Sequence, residues 1–386
     1  PLLLFLHGTF SSTLGSFGEL FKLPGPMQTL GVGYPSRIFG FEHPTLTKSP
    51  IANALALAKK LPADTRLHLV SHSRGGLVGD LLCLASVSEF QAALSPEYLQ
   101  RLSAADRRDL PLLIEDLRSR RIQVERFVRV ASPSRGTTLA TGRLDRWLSV
   151  VFNLISKLQV LSGAVADALM EFILAVVREP QDAETLPGLE AMMPQSALVG
   201  LLNHPDLRIP EPAQLAVISG DIQEQGIWGR LKLLIPDLFF AGDHDLVVNT
   251  GSMYGGLRRS QGWFCFDQGA NVNHFNYFGA SLDEAEVPAS PPITVDALLL
   301  GLLDELPGRL YKPLAEAPVI MPARSAAGVS GRRPVLFVLP GIMGSTLAKN
   351  GEMLWAPSAG AVLRAIKTFR RCLGNLRLPD GIGDEH

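Results

Sequence analysis

Short apolar runs, each leading through a turn into a helix-forming stretch, constrain this chain more than any other feature of its sequence. Leu2 to Leu6 is apolar throughout and closes at His7-Gly8. A strand lacking polar alternation is buried on both faces, as in a parallel sheet covered by helices. Arg66 to Ser71 and Val124 to Val130 read as further strands, as do Arg37 to Phe41, Gln214 to Ser219, Leu238 to Ala241 and Trp263 to Phe266. Helices fall between them. Ser49-Pro50 supplies an N-cap and a first-position proline for an Ala/Leu-rich helix to Lys60, which Leu61-Pro62 stops. Gly75 to Ala85 is an apolar helix, Pro96 to Arg121 a charged one, and Ile293 to Leu306 a closing amphipathic one. Strands alternating with helices imply βαβ units with right-handed crossovers and a mostly parallel sheet.

Composition narrows the functional classes. Hydrophobic residues make up 46% of the 386, which excludes a disordered chain, since burying them offsets the entropy lost on ordering. Lys plus Arg is 36 and Asp plus Glu 37, a net charge of -1 without the basic excess of a nucleic-acid binder. Arg118-Ser119-Arg120-Arg121 and Arg332-Arg333 are short and read as a helix end and a linker. Cys83, Cys265 and Cys372 are too few and scattered for a disulfide framework or a zinc site, and read as small buried hydrophobes. The most apolar region, Trp147 to Val177, is interrupted by Lys157, Asp167 and Glu171, too closely for a membrane-spanning helix. With no signal peptide visible either, a cytoplasmic location is favoured. The first residue is Pro1 within a strand pattern, so the chain is expected to begin inside a longer protein.

Length suggests two or three domains, and internal repetition refines that. Pro334-Val-Leu-Phe-Val-Leu-Pro-Gly-Ile-Met-Gly-Ser-Thr-Leu347 aligns without gaps on Pro1-Leu-Leu-Leu-Phe-Leu-His-Gly-Thr-Phe-Ser-Ser-Thr-Leu14. The expectation is one complete domain over 1–308, a Pro/Ala/Gly/Arg-rich linker over 309–333, and the start of a second copy over 334–386. Leu139 to Arg178 breaks the β/α rhythm with a long apolar helical stretch, read either as core helices or as a cap over a pocket.

Ser71-His72-Ser73-Arg74-Gly75-Gly76 sits between a strand and a helix. It is the nucleophile-elbow pattern G-x-S-x-G with serine in place of the first glycine. The turn is tight enough to strain Ser73 and to require small neighbours two residues away. The helix that follows favours negative charge developing at its N-terminus. An oxyanion hole needs two backbone N–H donors. Arg74 is expected to supply one, and the loop His7-Gly8-Thr9-Phe10 the other, from Thr9 first and Phe10 second. Gly8 permits close approach, and His7 orients the loop. The serine needs a base, and the base an orienting acid, in the chain order Ser, acid, His. Gly242-Asp243-His244-Asp245 follows a strand and offers Asp245 as the acid, with Asp243 as the alternative and Asp221 an outsider. Asn271-Val272-Asn273-His274 follows the last strand and offers His274 as the base. Adjacent residues on a turn seldom converge on one ion, so Asp243-His244-Asp245 is not read as a metal site.

On His7-Gly8, Ser71 to Gly76, Asp245 and His274, the first 308 residues resemble an α/β-hydrolase of the lipase/esterase type. Ala131-Ser132-Pro133-Ser134-Arg135-Gly136-Thr137, Met193-Pro194-Gln195-Ser196 and Leu201-Leu202-Asn203 are similar to segments of bacterial lipases and GPI inositol-deacylase-like lipases. Leu339 to Ser345 looks more like the opening of lecithin–cholesterol acyltransferase-type enzymes, without the histidine. The resemblance implies a mostly parallel sheet flanked by helices, with the apolar insertion, about 139–180, as a lid or cap. It implies hydrolysis of a lipid or other acyl ester through an acyl-enzyme, with no cofactor or metal, and contact with a membrane or micelle through the lid. Acyl transfer to an alcohol uses the same triad, and a silent hydrolase-fold interaction module is the reading from another class.

Overall fold

In the computed structural model the described residues are 1–87, 99–137, 187–210, 213–220, 245, 247–259, 261–267, 274, 277–278 and 293–317, with the backbone of 347–349 and 352–355. The apolar insertion, the expected strand Leu238 to Ala241, the residues Asp221, Asp243, His244 and Cys372, and the repeated segment up to Ser345 lie outside them.

Seven strands form one sheet: β1 (Leu2–Leu6), β2 (Ile38–Phe41), β3 (Arg66–His72), β4 (Gln123–Val130), β5 (Gln214–Gly220), β6 (Gly262–Asp267) and β7 (Lys312–Pro313). Their order is β2-β1-β3-β4-β5-β6-β7, parallel except for β7, which runs antiparallel to β6. The apolar character of Leu3 to Leu6 follows from this position, since β1 is flanked by strands on both sides and all four side chains are buried. The sequence order turns back between β1 and β3. Such a reversal leaves a crevice at the carboxyl ends of the two strands, where open α/β sheets bind their ligands.

Helices α1 (Thr13–Phe21), α2 (Pro24–Gly33), α3 (Pro50–Lys60), α4 (Gly75–Cys83), α5 (Ala104–Ser119), α6 (Ala197–Leu202) and α7 (Ile293–Leu303) surround the sheet. Serine caps start four of them: the hydroxyls of Ser12, Ser49, Ser103 and Ser196 accept from the N–H of Gly15, Ala52, Asp106 and Val199. Two glycines show how closely helices cover both faces. A Cβ at Gly79 of α4 would meet the Phe127 ring at 2.3 Å, and one at Gly301 of α7 would meet Val128 at 2.9 Å. Phe127 and Val128 are consecutive in β4 and point to opposite faces, so α4 and α7 lie on opposite sides of the sheet. α3 packs with both α4 and α5, and α2 packs with α7.

A charged cluster lies inside the first of these layers. Arg129 of β4 and Asp80 of α4 are fully buried and paired at 2.6 Å, and the Arg129 Nη2 donates to the Met253 carbonyl at 3.1 Å. Arg259 approaches the other Asp80 oxygen at 3.5 Å and the Cys83 sulfur at 3.2 Å. Cys83 and Cys265 are both buried, and burial pushes the Cys83 thiol up from its ordinary value.

Three departures from the sequence reading have local causes. α1 and α2 were not expected, because Gly15, Gly18, Gly25, Gly31 and Gly33 dilute their helical signal. The charged stretch, read as one helix, is interrupted at Arg101 to Ser103, after which Ser103 caps a helix that starts at Ala104. The sheet also runs on past residue 308. Trp263 and Phe264 pair with Pro313 and Lys312, and Tyr311 is buried, so the stretch read as linker begins with a strand.

Compact residues 1–144 and 181–323 form one unit, and residues 145–180 and 324–386 another. In the second unit Leu347–Lys349 and Glu352–Trp355 form an antiparallel pair. Leu14, which aligns with Leu347 in the sequence repeat, lies in α1, whereas Leu347 lies in a strand.

Candidate active site

Ser73 stands in the turn between β3 and α4 with φ at +54°. The left-handed conformation costs an unbranched L-residue about 1–2 kcal/mol. It is held from both sides: the Ser73 N–H donates to the Val130 carbonyl at 2.9 Å, and its carbonyl accepts from Gly76 at 3.0 Å. The small residues around it are steric necessities. A Cβ at Gly75 would lie 2.2 Å from the Leu6 carbonyl oxygen, and one at Gly76 would lie 2.1 Å from the Ser132 hydroxyl. Gly8, across the crevice, would bring a Cβ within 2.9 Å of the Ser73 Cβ. Ser71 fits where the usual motif has glycine and is fully buried.

The structure brings Ser73, His274 and Asp245 together, although 201 and 29 residues separate the pairs. The Asp245 carboxylate can only accept, so His274 carries its proton on Nδ1 and donates it to Oδ2 at 2.9 Å. Nε2 is then left to accept from the Ser73 hydroxyl, also at 2.9 Å. The backbone repeats the link, since the His274 N–H donates to the Asp245 carbonyl at 2.9 Å.

Asp245 is completely buried, and its two oxygens take four donors. Val247 and Val248 N–H donate to Oδ1 at 3.1 and 2.8 Å, and the Tyr277 hydroxyl joins His274 on Oδ2 at 3.0 Å. Burial alone would raise the carboxyl. His274, through its proximity and its hydrogen bond, and then the two valine amides, hold it below its ordinary value instead. A buried carboxylate that stays ionised and aimed at Nδ1 fixes both the tautomer and the ring orientation of His274.

Two amides face no acceptor. Among the described residues, neither the Thr9 nor the Arg74 N–H donates a hydrogen bond, and Arg74 stands immediately before α4, at its N-terminus. Phe10, the second choice from sequence, instead donates its N–H to the Thr45 hydroxyl at 3.2 Å with φ at +54°. His7 is buried and ties the loop down. Its Nε2 accepts from the His43 N–H at 3.2 Å, so Nδ1 is the protonated nitrogen and donates to the Gly8 carbonyl at 3.0 Å. Burial lowers the His7 pKa, which suits this neutral form.

Sequence reasoning passed over several supporting residues. His72, buried beside the serine, donates from Nε2 to the His274 carbonyl at 2.9 Å. The segment Ala131 to Thr137 braces the acid loop, with the Thr137 hydroxyl donating to the Val247 carbonyl at 2.8 Å. Asn203 closes that brace by donating to the Ser134 carbonyl at 2.7 Å and accepting from Gly256 at 3.0 Å. The last two lie in segments that the resemblance had singled out, whereas His72 lies in the elbow itself. Among the described residues no group of His, Cys, Asp or Glu could hold a metal ion.

A parallel sheet that reverses between β1 and β3, with an elbow serine at that reversal, defines an α/β-hydrolase fold. Residues 1–98 and 108–286 match the family described as a domain of unknown function, DUF7379, and the chain belongs to that family. No curated protein sequence matches the chain. Among solved structures it is similar to lipase 1 from Pelosinus fermentans, at 15% identity over 79% of this chain and 99% of that one, with a TM-score of 0.46. It is similar to EstA from Clostridium botulinum at 13% identity, over 79% and 88%, with a TM-score of 0.47. The Staphylococcus hyicus lipase matches at 13% identity, over 78% and 93%, with a TM-score of 0.45.

Proposed function

We propose that the chain is a serine ester hydrolase in which Ser73 is the nucleophile, His274 the general base and acid, and Asp245 the residue that orients the imidazole. The observation that carries this reading is the unbroken chain of hydrogen bonds from the Ser73 hydroxyl through His274 to the ionised Asp245. Ser73 Oγ attacks the acyl carbon as its proton passes to His274 Nε2. The resulting imidazolium is stabilised by Asp245, and negative charge on the former carbonyl oxygen is met by the Thr9 and Arg74 amides. Collapse of the tetrahedral adduct breaks the ester C–O bond, and His274 returns the proton to the leaving alcohol. Water, deprotonated by His274, then releases the acid from the acyl-enzyme and regenerates Ser73. In this reading the apolar insertion at 139–180 covers the pocket as a lid and meets lipid or micelle, which its composition supports. Residues 334–386 belong to a second hydrolase-like copy, which the repeat supports.

A fluorophosphonate probe tests the assignment. It is expected to label the protein, with Ser73→Ala abolishing both labelling and p-nitrophenyl ester turnover. Undiminished labelling of that variant would sink the assignment.

A further inference from the structure

Arg74 follows the elbow serine, and its side chain is fully buried with no carboxylate paired to it among the described residues. Instead, Nη2 donates to the Lys48 carbonyl at 2.6 Å and Nε to the Gly188 carbonyl at 3.2 Å, while Nη1 has no partner. Burial alone pushes the guanidinium down to about 9. An unneutralised buried guanidinium is costly, and retaining one for stability alone is hard to justify physically.

The two carbonyls it holds belong to segments that carry the oxyanion loop. The segment containing Lys48 also presents Thr45, whose hydroxyl accepts the Phe10 N–H. The segment containing Gly188 also presents Met192, whose sulfur accepts the Thr9 hydroxyl at 3.5 Å. These segments touch each other as well. The Gly188 N–H donates to the Leu46 carbonyl at 2.9 Å, and a Cβ on Gly188 would lie 2.0 Å from the Thr45 carbonyl oxygen. Two pieces of chain distant in sequence therefore converge on one guanidinium, and both also touch the Thr9–Phe10 loop.

We propose that Arg74 is a positioning residue whose guanidinium clamps the Lys48 and Gly188 carbonyls and so fixes the wall on which Thr9 and Phe10 rest. One residue thereby supplies an oxyanion amide from its backbone and sets the opposing amide with its side chain. The proposal rests on the serine-hydrolase reading for its catalytic consequence, but its structural content can be tested without turnover.

Arg74→Met keeps the methylene packing and removes the clamp, and Arg74→Lys keeps the charge with a single donor group. Hydrogen exchange is to be followed in the resting full chain over residues 8–12, with β3 as an internal reference. Exchange at Phe10, whose N–H donates to the Thr45 hydroxyl, is expected to rise about 10-fold in Arg74→Met and less in Arg74→Lys, while β3 is unchanged. The rate of fluorophosphonate labelling and kcat for p-nitrophenyl butyrate should fall about 10–100-fold with KM held, and Tm should be unchanged or higher. Unchanged exchange at residues 8–12 in both folded variants, or a rise in KM with kcat intact, would overturn the clamp. Absence of labelling in the unmodified chain would instead count against the hydrolase reading, and the exchange measurement would still decide the clamp.

Discussion

The imidazole of His72 donates its Nε2–H to the main-chain carbonyl of His274 at 2.9 Å, so the residue preceding Ser73 holds the backbone of the histidine that bonds it. Its Nδ1 is buried without a partner, and burial, reinforced by the neighbouring His274, pushes its pKa down to about 3. His43, behind the His7 ring, is pushed down to about 3 by burial and by His7.

Both histidines therefore tie stability to pH. The unfolded chain takes up these protons from about pH 6.5 downward, whereas the folded chain takes them up only near pH 3. Between these values the unfolded state binds more protons, so stability falls as pH falls, by about 1.4 kcal/mol per pH unit for each histidine. Urea unfolding at pH 5.5, 5 and 4.5, well between the two values, should show this slope, and His72→Phe or His43→Phe should each flatten it by one proton. A slope identical in both variants and the unmodified chain would contradict the assignment of these protons.

Asp245 and Asp243 make different predictions. Asp245→Asn exchanges an all-acceptor group for one that cannot accept from His274, Tyr277 and both valine amides together. It should lower kcat by about 10⁴-fold with little change in KM, as loss of the orienting carboxylate imposes the wrong histidine tautomer. Asp243→Asn should stay within about threefold of the parent, since it leaves those four bonds in place. Steady-state ester hydrolysis separates the two, and a larger loss at Asp243 would transfer the role.

Glycines in this fold should respond in opposite directions. Gly75→Ala places a Cβ 2.2 Å from the Leu6 carbonyl, which is fixed in β1, and should cost about 3 kcal/mol or more. Gly18 lies within α1 with nothing near its missing side chain, so Gly18→Ala should stabilise by about 0.5–1 kcal/mol. Thermal denaturation of the two variants is the measurement, and a destabilised Gly18→Ala would contradict it.

What the sequence revealed, and what it hid, follows the range of the physics. Leu2–Leu6 and the Ser71–Gly76 turn carry their reasons locally, in burial on both faces and in the space a tight elbow leaves. That Asp245 and His274 would meet Ser73 was legible because chain order restricts where partners of an elbow serine can stand. The Arg74 clamp and the His72 contact were not, since each joins backbone carbonyls that any residue could provide, at separations of 26, 114 and 202 residues. β7 was missed because two residues, one of them proline, give no periodicity to read. Its place in the sheet is set by Trp263 and Phe264, far from it in sequence.

The left-handed turn at residue 73 also restricts which hydroxyl can serve there. Threonine offers the same functional group, yet its second branch at Cβ is poorly tolerated at φ +54° and would be pressed towards Gly8, whose own space is already closed by the Ser73 Cβ. Cysteine, unbranched, would sit in the turn without that conflict. Backbone geometry at the elbow thus ranks replacements by shape before chemistry is considered, and admits a thiol more readily than a second alcohol.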